Sequence, residues 1–189
     1  MIKRAVRISG GELKGRALAV PAPIRPSGAR LREALFDIWQ GRIGDAVLLD
    51  LFAGSGAIGL EAISRGARRV VFVETDVSVR EILRQNLQTL PATDVLVLAA
   101  ELPGDLQSIS GRLPKTADLI FADPPYDFAA YGELIAAVAP LLAAEGEMAI
   151  EHRAKTELPA RAGDLTQIST RSYGDSRLSF YCRAVQSLR

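Results

Sequence analysis

Compact apolar blocks alternate along this chain with longer stretches in which apolar residues recur every three or four positions. The blocks at 46–51, 70–74, 95–98, 117–122 and 147–151 predict buried strands. The spacing between them predicts helices over 57–64, 78–90 and 129–142, with 103–111 a short helix or loop. Such alternation is the signature of a parallel sheet covered on both faces, an α/β fold. The helix over 78–90 opens on Ser78-Val79-Arg80-Glu81, a capping-box pattern. Its core face, Val79, Ile82, Leu83, Asn86, Leu87 and Leu90, is apolar but for Asn86. Two last strands, 165–172 and 177–184, flank Tyr173-Gly174-Asp175, and so short a connection requires an antiparallel pair. Ahead of the first block, residues 5–20 read as a hairpin turned by Gly10-Gly11 and Gly15. Pro21, Pro23 and Pro26 then impose an extended connector. Ser27 is the expected N-cap of a helix over Gly28–Gln40 whose buried face is Leu31, Leu35, Ile38 and Trp39. Phe36 and Trp39 are assigned to the core, not to base stacking.

Composition narrows the class. At 189 residues, 48% hydrophobic and 24% charged, the chain has the make-up of one folded domain, with room for a small appendage. No apolar run approaches the roughly eighteen residues of a membrane span, and the N-terminus lacks the apolar core of a secretory signal. One cysteine, Cys182, and one histidine, His152, exclude an internal disulfide and an ordinary Cys/His zinc site. A cytoplasmic, metal-free monomer is expected. The net charge of +1 hides an asymmetry: residues 1–32 hold eight basic side chains against Glu12, or +7, and the remainder 15 basic and 21 acidic, or −6. A basic arm on a mildly acidic body suits a polyanionic partner, the alternative being a solvated basic terminus.

Two loops carry the candidate chemistry. Gly54, Gly56 and Gly59 follow the first strand with G-x-G-x-x-G spacing, a weak motif alone, and Glu74 ends the next strand where a ribose-binding acid is expected. The ligand is NAD or S-adenosylmethionine. Asp50 just before the loop opposes a pyrophosphate and favours the ammonium and sulfonium of S-adenosylmethionine; it can also cap backbone N–H groups. Asp123-Pro124-Pro125-Tyr126 is rarer. Its two prolines fix a rigid loop, and the Asp123 carboxylate and Pro124 carbonyl offer two acceptors for the two hydrogens of an exocyclic –NH₂. Holding both aligns the nitrogen lone pair for attack on a methyl group, while Tyr126 stacks on the base. A rigid loop with a capping aspartate is the plainer alternative.

On these residues the chain resembles the bacterial 16S rRNA guanine-N2 methyltransferases. The resemblance runs through RISGGELKGRAL, RPSGARLREALFDIW, DLFAGSGAIGLEAISRGA, VFVETD, FADPPYD and YGDSRLSFY. It implies a Rossmann-like class I methyltransferase: a seven-stranded, mostly parallel sheet with an antiparallel last strand, helices on both faces, and a small N-terminal hairpin and helix. It divides the chain into a basic arm and connector, 1–26, and a methyltransferase domain, 27–189. It implies S-adenosylmethionine as cofactor, with Gly54, Ser55 and Gly56 at its methionine end and Glu74 at the ribose, and Asp123, Pro124, Pro125 and Tyr126 on the guanine amine. The cofactor set is completed by Asp50, Phe52, Ala53, Thr75 and Glu101, the last where many relatives carry an adenine-binding acid one residue away. Arg4, Arg7, Lys14, Arg16, Arg25 and Arg30 are the expected contacts to 16S rRNA within a small-subunit particle. The chain departs from the family in carrying Ser27-Gly28-Ala29 after Arg25-Pro26, where Arg-Pro-Thr is usual. Competing readings are amino-methylation of adenine N6 or cytosine N4, an NAD-dependent oxidoreductase, and a catalytically silent RNA-binding module.

Overall fold

The five apolar blocks become neighbouring parallel strands. The computed structural model describes residues 6–21, 28–88, 90 and 94–184; Arg4, Arg25 and Ser27 lie outside them. The chain runs β1 (Val6–Arg7), β2 (Ala17–Leu18), α1 (Gly28–Ile38), β3 (Val47–Leu51), α2 (Ala57–Ser64), β4 (Arg69–Val73) and α3 (Val77–Leu87). It continues with β5 (Asp94–Leu98), α4 (Leu106–Ile109), β6 (Ala117–Ala122), α5 (Tyr131–Val138), β7 (Leu142–Arg153), β8 (Arg161–Ala162), β9 (Leu165–Tyr173) and β10 (Ser176–Arg183). β1 and β2 form a separate antiparallel ribbon. The main sheet has the order β5-β4-β3-β6-β7-β10-β9-β8, with β5 to β7 parallel and β10 antiparallel to both its neighbours. Seven strands were expected; the eighth, β8, is a two-residue edge ribbon.

Strand alternation splits the core. Leu49, Leu51 and Ile120 face Leu134 and Ile135 of α5. Leu48, Phe72 and Phe121 face Leu35, Phe36 and Trp39 from α1 and the turn after it. Phe36 and Trp39 are fully buried and meet edge to face at 6.1 Å, as core residues do. The N-cap of α3 is Asp76, not Ser78: the Asp76 carboxylate accepts from Val79 N–H and Ser78 Oγ. α3 therefore begins one residue earlier and gains a better acceptor than a hydroxyl. α5 is shorter than 129–142, because Pro140 has no N–H to continue it and the chain finishes in a 3₁₀ turn, Ala139–Leu141. β7 is far longer than 147–151. Its alanine-rich start is recruited by pairing of Leu142 with Ala117, across an irregularity in β6. No helix among the described residues is long and apolar enough to cross a membrane.

Candidate active site and nucleic-acid interface

The sheet winds outward in opposite directions from β3 and β6, which are paired side by side with Leu51 opposite Ala122. In open α/β sheets the crevice beyond such a switch point receives the ligand. The next residues along these strands are Phe52 and Asp123, which this register sets about 5 Å apart at backbone level. Val73 pairs with Leu51 on the other side, so Glu74 emerges beside Phe52. The result is a cleft of about 560 Å³ that brings together Phe52, Glu74, Thr75, Glu101, Asp123 and Pro125. Val73, Ala100, Leu102 and Phe128 complete its wall.

The glycine loop is held from below. Gly56 has φ 83° and leads into α2, and a side chain on Gly59 would lie 2.1 Å from the Phe72 ring, so this glycine sets how closely α2 packs on the sheet. Glu74 Oε2 accepts from Gly54 N–H at 2.8 Å and Oε1 from Asp76 N–H at 3.0 Å, so this acid braces the loop while facing the cleft. Asp50 lies buried under the loop, outside the cleft's lining, and accepts from Gly59 N–H at 3.0 Å. Burial pushes its carboxyl well above the usual range; the Gly59 N–H works against this, and the nearby Asp123 and Glu74 charges add to it. A cation in the cleft would relieve this repulsion, and a pyrophosphate would aggravate it. Phe52 has φ 57°, a left-handed conformation uncommon for a residue with a side chain.

The Asp-Pro-Pro-Tyr loop closes on itself, with Phe128 N–H donating to the Pro125 carbonyl at 3.0 Å. Asp123 is exposed and Pro124 buried. The Arg153 guanidinium lies 3.9 Å from the centre of the Tyr126 ring, occupying one of its faces. Behind the loop runs a chain of edge-to-face rings, Phe52 to Phe128 at 5.4 Å and Phe128 to Tyr131 at 5.0 Å. His152 continues it and is locked: Nδ1 meets the Arg153 carbonyl at 3.0 Å, so it carries the proton, and Nε2 meets Ser179 Oγ at 2.9 Å. Sequence reasoning missed Phe128 and Arg153. Phe128 follows the tetrapeptide by two residues, a signal within reach; Arg153 is brought in by the end of β7 and left no local signal.

The hairpin lies on α2. Ile8 and Leu18 pack on Leu60. Glu61, fully buried, accepts from Ser9 N–H, Ser9 Oγ and Gly10 N–H, each at 2.8 Å, and pairs with Arg65 at 2.9 Å and Arg32 at 3.4 Å. Burial alone would raise its carboxyl; the Ser9 hydrogen bonds and Arg65 outweigh it and hold it below the usual range. Gly11, at φ 74°, sits so close to α2 that a Cβ would fall 1.7 Å from the Ser64 carbonyl oxygen. Arg7, Lys14 and Arg30 are exposed and Arg16 is half-buried. Arg7 also donates to the Gly15 carbonyl at 2.7 Å, closing the hairpin.

The comparisons with known proteins agree with this architecture. The sequence profile of the family described as "Conserved hypothetical protein 95" matches residues 6–182. Ribosomal RNA small subunit methyltransferase D of Escherichia coli (strain K12) is 41% identical over 123 residues, 64% of this chain and 60% of that protein. The alignment thus spans less than two thirds of the relative. Putative rRNA methyltransferase YlbH of Bacillus subtilis (strain 168) is 31% identical over 93% of this chain and 98% of its own length. The solved structure of the putative methyltransferase yhhF from Escherichia coli superposes with a TM-score of 0.82 at 33% identity, covering 97% of this chain and 100% of that one. The fold is that of the Rossmann-like class I methyltransferases, and the chain belongs to the conserved hypothetical protein 95 family, which includes the small-subunit rRNA methyltransferases D.

Proposed function

We propose that this chain transfers a methyl group from S-adenosylmethionine to the exocyclic N2 amine of a guanine in 16S rRNA, within a small-subunit particle. The observation that carries the reading is that the Asp-Pro-Pro-Tyr loop and Glu74 open onto one cleft from the two strands that flank β3. The carboxylates around it suit a cationic ligand. When bound, the cofactor supplies an electrophilic methyl group on a sulfonium. Glu74 would hold it through the ribose hydroxyls and Gly54, Ser55 and Gly56 through its methionine end, and Thr75 and Glu101 would complete its binding set. Asp123 and the Pro124 carbonyl accept the two amine hydrogens and turn the nitrogen lone pair toward the methyl. No general base is required, since the methylated ammonium sheds its proton readily. Tyr126, backed by Arg153, offers its other face to the target base.

The arm, 1–26, serves as the phosphate-binding unit and 27–189 as the catalytic one. Arg4, Arg7, Lys14, Arg16, Arg25 and Arg30 meet the RNA backbone. The names of the Escherichia coli and Bacillus subtilis relatives support RNA as the substrate class. The test is labelled-methyl transfer into small subunits, free rRNA, DNA and protein, with mapping of the modified nucleotide. Label on guanine N2 in rRNA is expected. Label on adenine N6 or cytosine N4 would move the target, and none in RNA would overturn the reading.

A further inference from the structure

Two residues of α3 are buried, Leu83 and Asn86, the latter 5% exposed. A buried amide is costly unless its donors and acceptor are satisfied. Asn86 satisfies them on two different parts of the molecule. Its Oδ1 accepts from Ala19 N–H at 2.8 Å, and its Nδ2 donates to the Ala19 carbonyl at 2.8 Å. A primary amide presents the same donor–acceptor edge as a peptide, so Asn86 holds the root of the arm as a neighbouring strand would. The same Nδ2 donates to the Ser55 carbonyl, in the middle of the glycine loop, at 2.9 Å. The other end of that peptide is also tied, with Gly56 N–H donating to the Ala53 carbonyl at 2.8 Å. The Ser55–Gly56 plane is therefore fixed between Ala53, in the turn after β3, and α3, and α3 holds its end through the side chain that also holds the arm.

We propose that Asn86 is a positioning residue that couples the arm to the cofactor loop, so that RNA on the arm and cofactor on the loop tighten each other's binding. The inference rests on the function proposed above. Coupling between two ligands is reciprocal, and loss of the shared side chain removes it from both sides. Packing alone gives no reason for an amide at a position where leucine would bury more apolar surface.

The experiment measures the affinity of radiolabelled S-adenosylhomocysteine with and without saturating 16S rRNA transcript. Three full-length proteins are compared: the parent, Asn86→Leu and Ala19→Pro. The parent is expected to bind the nucleoside at least threefold more tightly when RNA is present. In Asn86→Leu and Ala19→Pro that factor falls to one, and in Asn86→Leu the nucleoside alone binds several-fold more weakly. Thermal melts establish that each variant is folded. Should Asn86→Leu lose its cooperative melt, Ala19→Pro decides alone, because it removes one arm N–H and leaves α3 untouched. A purely structural clasp would lower the melting temperature and leave the factor unchanged, and that result would overturn the coupling, as would a parent with no factor at all. A parent that binds no S-adenosylhomocysteine would instead refute the function proposed above.

Discussion

Asp123 stands where the chemistry is proposed to occur, exposed at the end of β6 and bordering the cleft without being the residue that braces the glycine loop. Asp123→Ala should therefore leave S-adenosylhomocysteine affinity nearly intact while slowing methyl transfer. A hydrogen bond to a charged group is worth about 1.5–3 kcal/mol, which is roughly 10–100-fold in rate if expressed at the transition state. Single-turnover rates beside equilibrium titrations check the split, and near-normal transfer would remove Asp123 from the mechanism. At this scale the sequence was readable wherever a residue's neighbours in the chain are its neighbours in space. Glu74 and the Asp-Pro-Pro-Tyr loop are such cases: Glu74, Asp123 and Pro125 line the cleft, whereas Gly54, Ser55, Gly56 and Tyr126 are not among its lining residues. Arg153 was not readable, because its partner Tyr126 lies 27 positions away and only the antiparallel return of the sheet edge fixes the end of β7. Glu61 was hidden for the same reason: inside an apolar helix it looks like an error until the hairpin arrives to use it.

At the scale of elements, the hairpin and α2 act as one piece. Removing the Glu61 side chain would leave Arg32, 6% exposed at its side chain, as a buried cation without that acid. Breaking a buried pair on one side costs about 3–5 kcal/mol. Glu61→Ala should lower the urea midpoint accordingly, and Glu61→Gln should restore part of it by returning an acceptor to the Ser9 and Gly10 N–H groups. A midpoint equal to the parent's would mean that the hairpin is held by Ile8 and Leu18 alone. The cations of the arm make a second prediction. Replacing Arg4, Arg7, Lys14 and Arg16 together by alanine should weaken RNA binding across sequences and reduce the slope of log affinity against log salt by about 0.7–0.9 per cation. An unchanged slope would make the arm a solvated terminus. Strand positions in the sheet were legible from apolar blocks, but element ends were not. The alanine-rich 142–146 favours a helix by propensity, and only a partner strand absent from its own window makes it part of β7.

At the scale of the whole molecule, three buried groups among the described residues tie stability to pH between 8 and 4, two in one direction and one in the other. Burial holds His152 below its ordinary 6.5, so the unfolded chain takes up that proton first and stability falls as pH drops below about 6.5. Glu61 is held below 4.5, so its contribution is present above that value and is lost below it. Asp50, raised by burial, works in the opposite sense: its penalty eases as pH falls through its elevated value, partly offsetting the other two. Urea midpoints measured from pH 8 to pH 4 should therefore decline in two stages, the first beginning near 6.5. His152→Gln should flatten that first stage, and a first stage that survives the substitution would assign it to another group. The same molecule also contains its own optical reporter. Trp39 is the single tryptophan of the chain, fully buried, with Nε1 donating to Glu147 Oε1 at 2.7 Å. It belongs to the cluster under α1, whereas the apolar wall of the cleft, Phe52, Val73, Ala100, Leu102 and Phe128, belongs to the cluster on the other side of the sheet. Its fluorescence should emit at short wavelength in the folded protein, shift to the red as α1 leaves the sheet, and stay constant while the cleft is titrated.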